Sequence, residues 1–63
     1  MPKTNIKVKL VGKDGNAFSI LARVSQALRR GGRADLVEPF MKEAMSGNYT
    51  HLLATAMEYV EVE

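Results

Sequence analysis

Apolar and polar residues alternate at both ends of the chain, in residues 5–11 and in residues 58–63. Period-two alternation is typical of a strand with one buried face. The opposite faces carry Lys7 and Lys9 in the first segment, and Tyr59, Glu61 and Glu63 in the second. The apolar faces consist of Ile6, Val8, Leu10, Val60 and Val62. We therefore predict one strand at each end of the chain.

Between these segments, the spacing of apolar residues changes to that of helices. The first helix is predicted over residues 16–30, because six apolar positions fall on one face: Ala17, Ile20, Leu21, Val24, Ala27 and Leu28. Asn16 is a favourable N-cap, since its side chain can accept hydrogen bonds from free amides of the first turn. Gly31-Gly32 ends this helix, because glycine adopts the left-handed conformation there at little cost.

A second helix is predicted over residues 35–46, with an apolar stripe that includes Phe40 and three methionine or alanine positions. Asp35 and Glu38 have the spacing of a capping box. Pro39 then falls at the fourth helical position, near the limit of the turn that has no internal amide hydrogen bonds to lose. Residues 48–57 favour a short third helix, capped by Asn48 or Thr50.

These elements predict an α+β fold of the order β-α-α-β in a single domain spanning residues 1–63. The two terminal strands are expected to pair in antiparallel fashion, because a hairpin of two helices returns the chain to its starting end. The two main helices then cover one face, and the short third helix precedes the last strand. Lys7 and Lys9 would face Glu61 and Glu63 across the strand pair, which favours pairing.

The charges are distributed unevenly, although the net charge is only +2. Residues 1–34 carry eight Lys and Arg against one Asp, a net +7; residues 35–63 carry one Lys against six Asp and Glu, a net −5. Such asymmetry indicates either an acidic partner for the first half or pairing between the two halves. The complementary strands favour pairing within the chain.

Several function classes are disfavoured by composition. The chain has no cysteine and a single histidine, His51, which excludes disulfides and multi-histidine metal sites. His51 has no partner serine or cysteine nearby, so we predict no enzymatic activity and no cofactor. No apolar run could span a bilayer, and no signal-peptide pattern is present, which predicts a cytoplasmic protein without membrane contact.

Two segments are candidates for anion binding. Gly12-Lys13-Asp14-Gly15-Asn16 joins the first strand to the first helix, where free amides and Lys13 could hold an anion. A tight turn followed by a cap explains the same residues, and phosphate-loop spacing is lacking. Arg29, Arg30 and Arg33 form the densest basic cluster, which could contact nucleic acid. Cations in the last turn of a helix also favour its dipole, which gives the cluster a purely structural explanation.

Two stretches carry a family resemblance: residues 8–29 (VKLVGKDGNAFSILARVSQALR) and residues 46–62 (SGNYTHLLATAMEYVEV). They resemble a group of short uncharacterised proteins of bacteria and their mobile elements, and together they cover about two-thirds of the chain. That group has no assigned activity or catalytic residues. The resemblance implies a bacterial, cytoplasmic origin.

The leading hypothesis is a small, non-enzymatic protein-interaction module that acts as a homodimer. A chain of 63 residues buries only about 60% of its unfolded surface, so a second copy would add burial. Open strand edges offer one route to such pairing, and another protein could also be the partner. The alternative is a nucleic-acid-binding accessory protein that uses Arg29, Arg30 and Arg33.

Overall fold

The computed structural model describes residues 2–10 and 16–63, and it shows three helices beside a small two-stranded sheet. The elements in chain order are β1 (Lys7–Val8), α1 (Ala17–Arg30), a 3₁₀ turn (Ala34–Leu36), α2 (Val37–Ala44), α3 (Tyr49–Tyr59) and β2 (Glu61–Val62). The α+β class is as predicted. The described part of the chain is mostly helical, and each strand has only two residues.

The predicted antiparallel pairing of the terminal strands is wrong, because β1 and β2 are parallel. Lys7 is in register with Glu61, and Val8 with Val62. The reason is the third helix, which has eleven residues and reverses the chain once more. An odd number of helices between the strands brings β2 back in the direction of β1. The predicted pairing of a basic strand with an acidic one therefore holds in the opposite orientation.

Helix α1 follows its sequence signals closely. The side chain of Asn16 accepts hydrogen bonds from the amides of Phe18 (2.9 Å) and Ser19 (3.4 Å). The apolar face is buried at Ile20, Leu21, Val24, Ala27 and Leu28. At the other end, Gly32 has a φ of 79°, the left-handed conformation that glycine adopts most easily.

The start of the second helix differs from the prediction. Residues 34–36 form the 3₁₀ turn, and α2 begins at Val37, with no side-chain cap. Asp35 does not form the expected capping box. Its carboxylate instead accepts two hydrogen bonds of 3.2 Å from the guanidinium of Arg33. Pro39 is the third residue of α2, where its missing amide leaves no intrahelical hydrogen bond unmade.

The pKa of Asp35 lies below its ordinary value, chiefly because Arg33 donates hydrogen bonds to the carboxylate; slight desolvation opposes the shift, and the guanidinium charge adds to it. We expect Arg33→Gln to raise the pKa of Asp35 toward the ordinary range, while Arg30→Gln leaves it unchanged. Carboxyl NMR titration would measure both. Because the folded-state pKa is depressed, the pair stabilises the fold at any pH above the unfolded-state pKa of Asp35. This stabilisation is lost as the pH falls through the folded-state pKa. An unchanged pKa in Arg33→Gln would contradict the assignment.

Helix α3 is longer than predicted and runs to Tyr59. Asn48 caps it by accepting a hydrogen bond from the amide of His51 (2.9 Å). Tyr59 was expected on the charged face of the last strand, and this prediction is wrong. Its ring is buried and meets Phe40 edge-on, with 5.4 Å between the ring centroids.

The core lies between the three helices and the sheet. Phe40 of α2 is fully buried at its centre, as are Val24 and Leu28 of α1 and Val60 before β2. The predicted alternation in the first strand is confirmed, because Val8 is buried while Lys7 and Lys9 are exposed. Within the described residues, no buried polar side-chain atom lacks a hydrogen-bond partner.

The segment before β1 closes the end of α3. Thr4 is buried, and its hydroxyl donates to the carbonyl of Tyr59 (2.7 Å) while it accepts from the amide of Ile6 (3.2 Å). The amide of Lys3 donates to the carbonyl of Glu58 (2.8 Å). The last carbonyls of a helix have no partners within it, so this segment serves as the C-terminal cap of α3.

Candidate interaction surfaces

Four large apolar side chains lie on the outside of the molecule: Phe18 (76% exposed), Met45 (61%), Tyr49 (39%) and Met57 (62%). Phe18 is in the first turn of α1, Met45 follows α2, and Tyr49 and Met57 belong to α3. We call these four residues the apolar surface. Isolated exposed apolar residues are common in soluble proteins, so their arrangement decides whether they matter.

Three adjoining hollows connect the four residues. Phe18 and Met45 line both a cavity of about 240 Å³ and another of about 330 Å³. Tyr49 lines the first of these and a third cavity of about 280 Å³, which Met57 also lines. The shared residues make the apolar surface continuous from α1 across the α2–α3 turn to β2. Contiguous exposed apolar patches usually mark a site of interaction.

The spacing of Met41, Met45 and Met57 in the sequence favours a place in the core, although the same residues could also form an adaptable binding surface. Met41 is partly buried against the core, whereas Met45 and Met57 are mostly exposed. The structure therefore places Met45 and Met57 on the surface, where a core position was expected. Flexible thioether side chains can adapt to a partner's shape.

A second surface is basic and lies on the opposite side of β1 from β2. A hollow of about 240 Å³ is lined by Lys7 and Lys9 of β1 and its neighbour, and by Arg23 and Arg30 of α1. We call these four residues the basic groove. Gln26 of α1 also lines it. Sequence reasoning missed this grouping, because it depends on how α1 packs beside β1.

The three arginines of the predicted cluster are distributed over different surroundings. Arg30 lines the basic groove, whereas Arg29 lines the cavity that contains Phe18 and Met45. Arg33 forms an ion pair with Asp35 at 3.2 Å. Lys13, the other candidate, and the rest of residues 12–15 lie outside the described residues. Asn16, the last residue of that motif, acts as the α1 cap.

His51 has closer partners than the sequence indicated. Its Nε2 atom lies 3.1 Å from the Glu43 carboxylate, 3.1 Å from the Ser46 hydroxyl and 2.9 Å from the Glu43 carbonyl. The expectation that no serine stands near His51 is therefore wrong. Ser46 and Glu43 reach the ring because the α2–α3 turn folds back on the start of α3.

This cluster does not have the geometry of a catalytic triad. In a triad, the nucleophile and the orienting carboxylate contact different ring nitrogens of the histidine. Here Ser46 and Glu43 both approach Nε2, and the Ser46 hydroxyl donates to the Glu43 carbonyl at 2.6 Å. The side chains of Ser46 and His51 thus both bind the Glu43 carbonyl near the C-terminal end of α2. Gly47 permits this packing, since a Cβ atom there would lie 2.8 Å from Cβ and Cγ of His51.

Two further kinds of site are lacking in the described part of the chain. Among residues 2–10 and 16–63, no helix is long and apolar enough to cross a membrane. The same part of the chain has no cluster of three or more side chains of the metal-binding types placed to share an ion. The cytoplasmic location and the absence of enzymatic activity stay predictions.

Comparison with known proteins supplies no relative: no family model, no curated protein and no solved structure matches this chain. The resemblance to short bacterial and mobile-element proteins therefore stays a prediction.

Proposed function

We propose that this chain is a small, non-enzymatic interaction module that forms a homodimer through the apolar surface. The observation that supports this most directly is the continuity of Phe18, Met45, Tyr49 and Met57 across three adjoining hollows. Burial of such side chains supplies the main favourable free energy of association.

A second copy fits this surface because the surface contains both members of a favourable contact. Methionine sulfur against an aromatic ring contributes about 0.3–1.5 kcal/mol. Two-fold pairing would place the aromatic residues of one copy against the methionines of the other. Among residues 2–10 and 16–63, the only charged residue that lines the three hollows is Arg29, at one end, so these parts of two copies would meet with little charge repulsion.

The molecule is small compared with an interface of ordinary size. A stable interface buries about 800 Å² per partner, which is about a fifth of the 4192 Å² that this molecule exposes. Dimerisation would thus cover a large share of a small protein. A short chain buries a smaller fraction of its surface on folding than a long one, and the dimer interface would bury more of it.

The strand edges are a poorer route to a homodimer. If two copies paired through β1, Lys7 and Lys9 of one copy would lie next to the same lysines of the other. If they paired through β2, the two copies of Glu61 would lie next to each other. Like charges directly opposite each other destabilise strand pairs. The idea that open edges mediate dimerisation is therefore replaced by association through the apolar surface.

Sedimentation equilibrium over a range of protein concentrations tests this proposal. The unchanged chain should reach a mass twice its 7.0 kDa at high micromolar concentration. Phe18→Asp should remain monomeric at the same concentration, because it places a charge where two of the three hollows meet. Ala54→Asp is the matched control: Ala54 is exposed on α3, outside the three hollows, and this variant should still dimerise.

Circular dichroism of both variants should match that of the unchanged chain, since Phe18 and Ala54 are exposed. A monomeric mass for the unchanged chain at high micromolar concentration would refute the proposal. Equal dimerisation of Phe18→Asp and Ala54→Asp would show that another surface is used.

A further inference from the structure

The edge of β1 that faces away from β2 forms one wall of the basic groove. Toward β2, the carbonyls of Ile6 and Val8 accept from the amides of Glu61 and Glu63, both at 2.8 Å. In a parallel pair, neighbouring residues direct their backbone groups to opposite sides. The amides and carbonyls of Lys7 and Lys9 therefore point away from β2, toward the side where α1 places its cations.

No carboxylate of the described residues forms an ion pair with the cations of this groove. Among the described residues, none of Lys7, Lys9, Arg23 and Arg30 forms an ion pair; the pairs that are present join Arg33 to Asp35 and His51 to Glu43. All four cations are exposed. The groove thus combines unpaired strand hydrogen-bonding groups with concentrated positive charge.

We propose that the basic groove binds an acidic, extended peptide segment of a partner protein, which adds to β1 as a third strand. Strand addition uses backbone hydrogen bonds for affinity and side chains for specificity. The other edge of β1 shows the same preference, because it pairs with the acidic strand β2, with Lys7 in register with Glu61. The proposed peptide would repeat this arrangement on the free edge.

Nucleic acid fits the groove less well. Single-stranded nucleic acid is usually held by aromatic side chains on which bases stack, and the residues lining this groove include no aromatic side chain. A phosphate backbone would use the four cations and leave the strand edge unused. The acidic peptide uses both features, and it is the occupant that we propose.

The first experiment measures binding of a fluorescein-labelled peptide of alternating glutamate and valine by fluorescence anisotropy at low salt. An alternating lysine and valine peptide should not bind. A glutamate and valine peptide that is N-methylated on the amides facing β1 should bind at least about tenfold more weakly, because it cannot donate the backbone hydrogen bonds that strand addition requires. The amide NMR signals of Lys7 and Lys9 should shift on binding of the unmodified peptide.

The second experiment compares two doubly substituted chains of equal charge. Lys9→Gln with Arg23→Gln should weaken binding of the acidic peptide on the order of tenfold. Lys3→Gln with Lys42→Gln removes two exposed cations outside the groove and should change binding less than twofold. Both variants should keep the circular dichroism of the unchanged chain.

Five outcomes would overturn the proposal. The acidic peptide does not bind, or its N-methylated form binds equally well, which would exclude strand addition. The two double variants lose affinity equally, which would indicate net charge alone. Duplex or single-stranded DNA binds through the groove while the peptide does not. Finally, groove-dependent assemblies of the chain that grow with concentration would identify the acidic β2 of a second copy as the occupant.

Discussion

Replacement of Phe40 by alanine is expected to leave the chain largely unfolded at room temperature. Phe40 is fully buried at the junction of α2 with α3 and packs edge-on against Tyr59. A buried Phe→Ala substitution costs about 3–5 kcal/mol, from lost burial and the cavity left behind. A domain of this length has a total stability of roughly 3–9 kcal/mol. The loss is therefore comparable to the whole free energy of unfolding.

Urea denaturation followed by circular dichroism would measure this loss. Phe18→Ala makes the same chemical change at a position that is 76% exposed, so it should change the free energy of unfolding by less than about 0.5 kcal/mol. Measurements below the dimerisation range keep association out of the comparison. Similar losses in the two variants would show that Phe40 is not at the centre of the core.

Replacement of Thr4 by valine is expected to lower the free energy of unfolding by about 1–3 kcal/mol. Valine has nearly the same shape and lacks the hydroxyl that donates to the Tyr59 carbonyl (2.7 Å) and accepts from the Ile6 amide (3.2 Å). Because Thr4 is buried, both backbone groups would lose their partner where water cannot easily replace it. Leaving a buried polar group unpaired costs about this amount.

Thr4→Ser is the matched control, since serine keeps the hydroxyl and loses only a methyl group. It should retain most of the stability that Thr4→Val loses, as judged by urea denaturation of the two variants side by side. Equal stability of the valine and serine variants would mean that the hydroxyl does not stabilise the end of α3. Loss of stability in the serine variant alone would assign the role of Thr4 to packing.

Helix α1 was predictable because its signals are local. Asn16 and the glycine pair at residues 31 and 32 mark its ends, and its apolar residues recur on one face. The start of α2 was not predictable in the same way. Asp35 has the spacing of a cap, but Arg33 two residues earlier competes for its carboxylate. Spacing alone cannot decide between these two partners.

The end of α3 was misread because two patterns overlap there. Residues 58–63 alternate like a strand, yet Leu52, Thr55, Ala56 and Tyr59 have helical spacing and are buried. The helical spacing is difficult to recognise in the sequence, because the polar residue Thr55 occupies one of the buried positions. Its hydroxyl donates to the His51 carbonyl at 2.8 Å and so is satisfied within the helix. As a full third helix, α3 reverses the direction of the chain once more, so β2 runs parallel to β1.

The two candidate surfaces depend on packing between distant parts of the chain. Met45 and Met57 occupy helical stripes typical of a core, and only the arrangement of the helices shows that they remain exposed. The basic groove joins Lys7 and Lys9 to Arg23 and Arg30 because α1 packs beside the free edge of β1. The density of arginines in residues 29–33 instead predicted a basic site there, and of those three arginines only Arg30 lines the groove.

The hydrogen bond between Thr4 and the Tyr59 carbonyl joins residues 55 positions apart, and the β1–β2 pairing closes a loop of similar length. Closing so long a loop lowers the conformational entropy of the chain before the contacts that stabilise the closed loop can form. The helices, whose contacts are local, can form on a faster timescale. We therefore expect the β1–β2 pairing and the hydrogen bond of Thr4 to form later in folding than the helices.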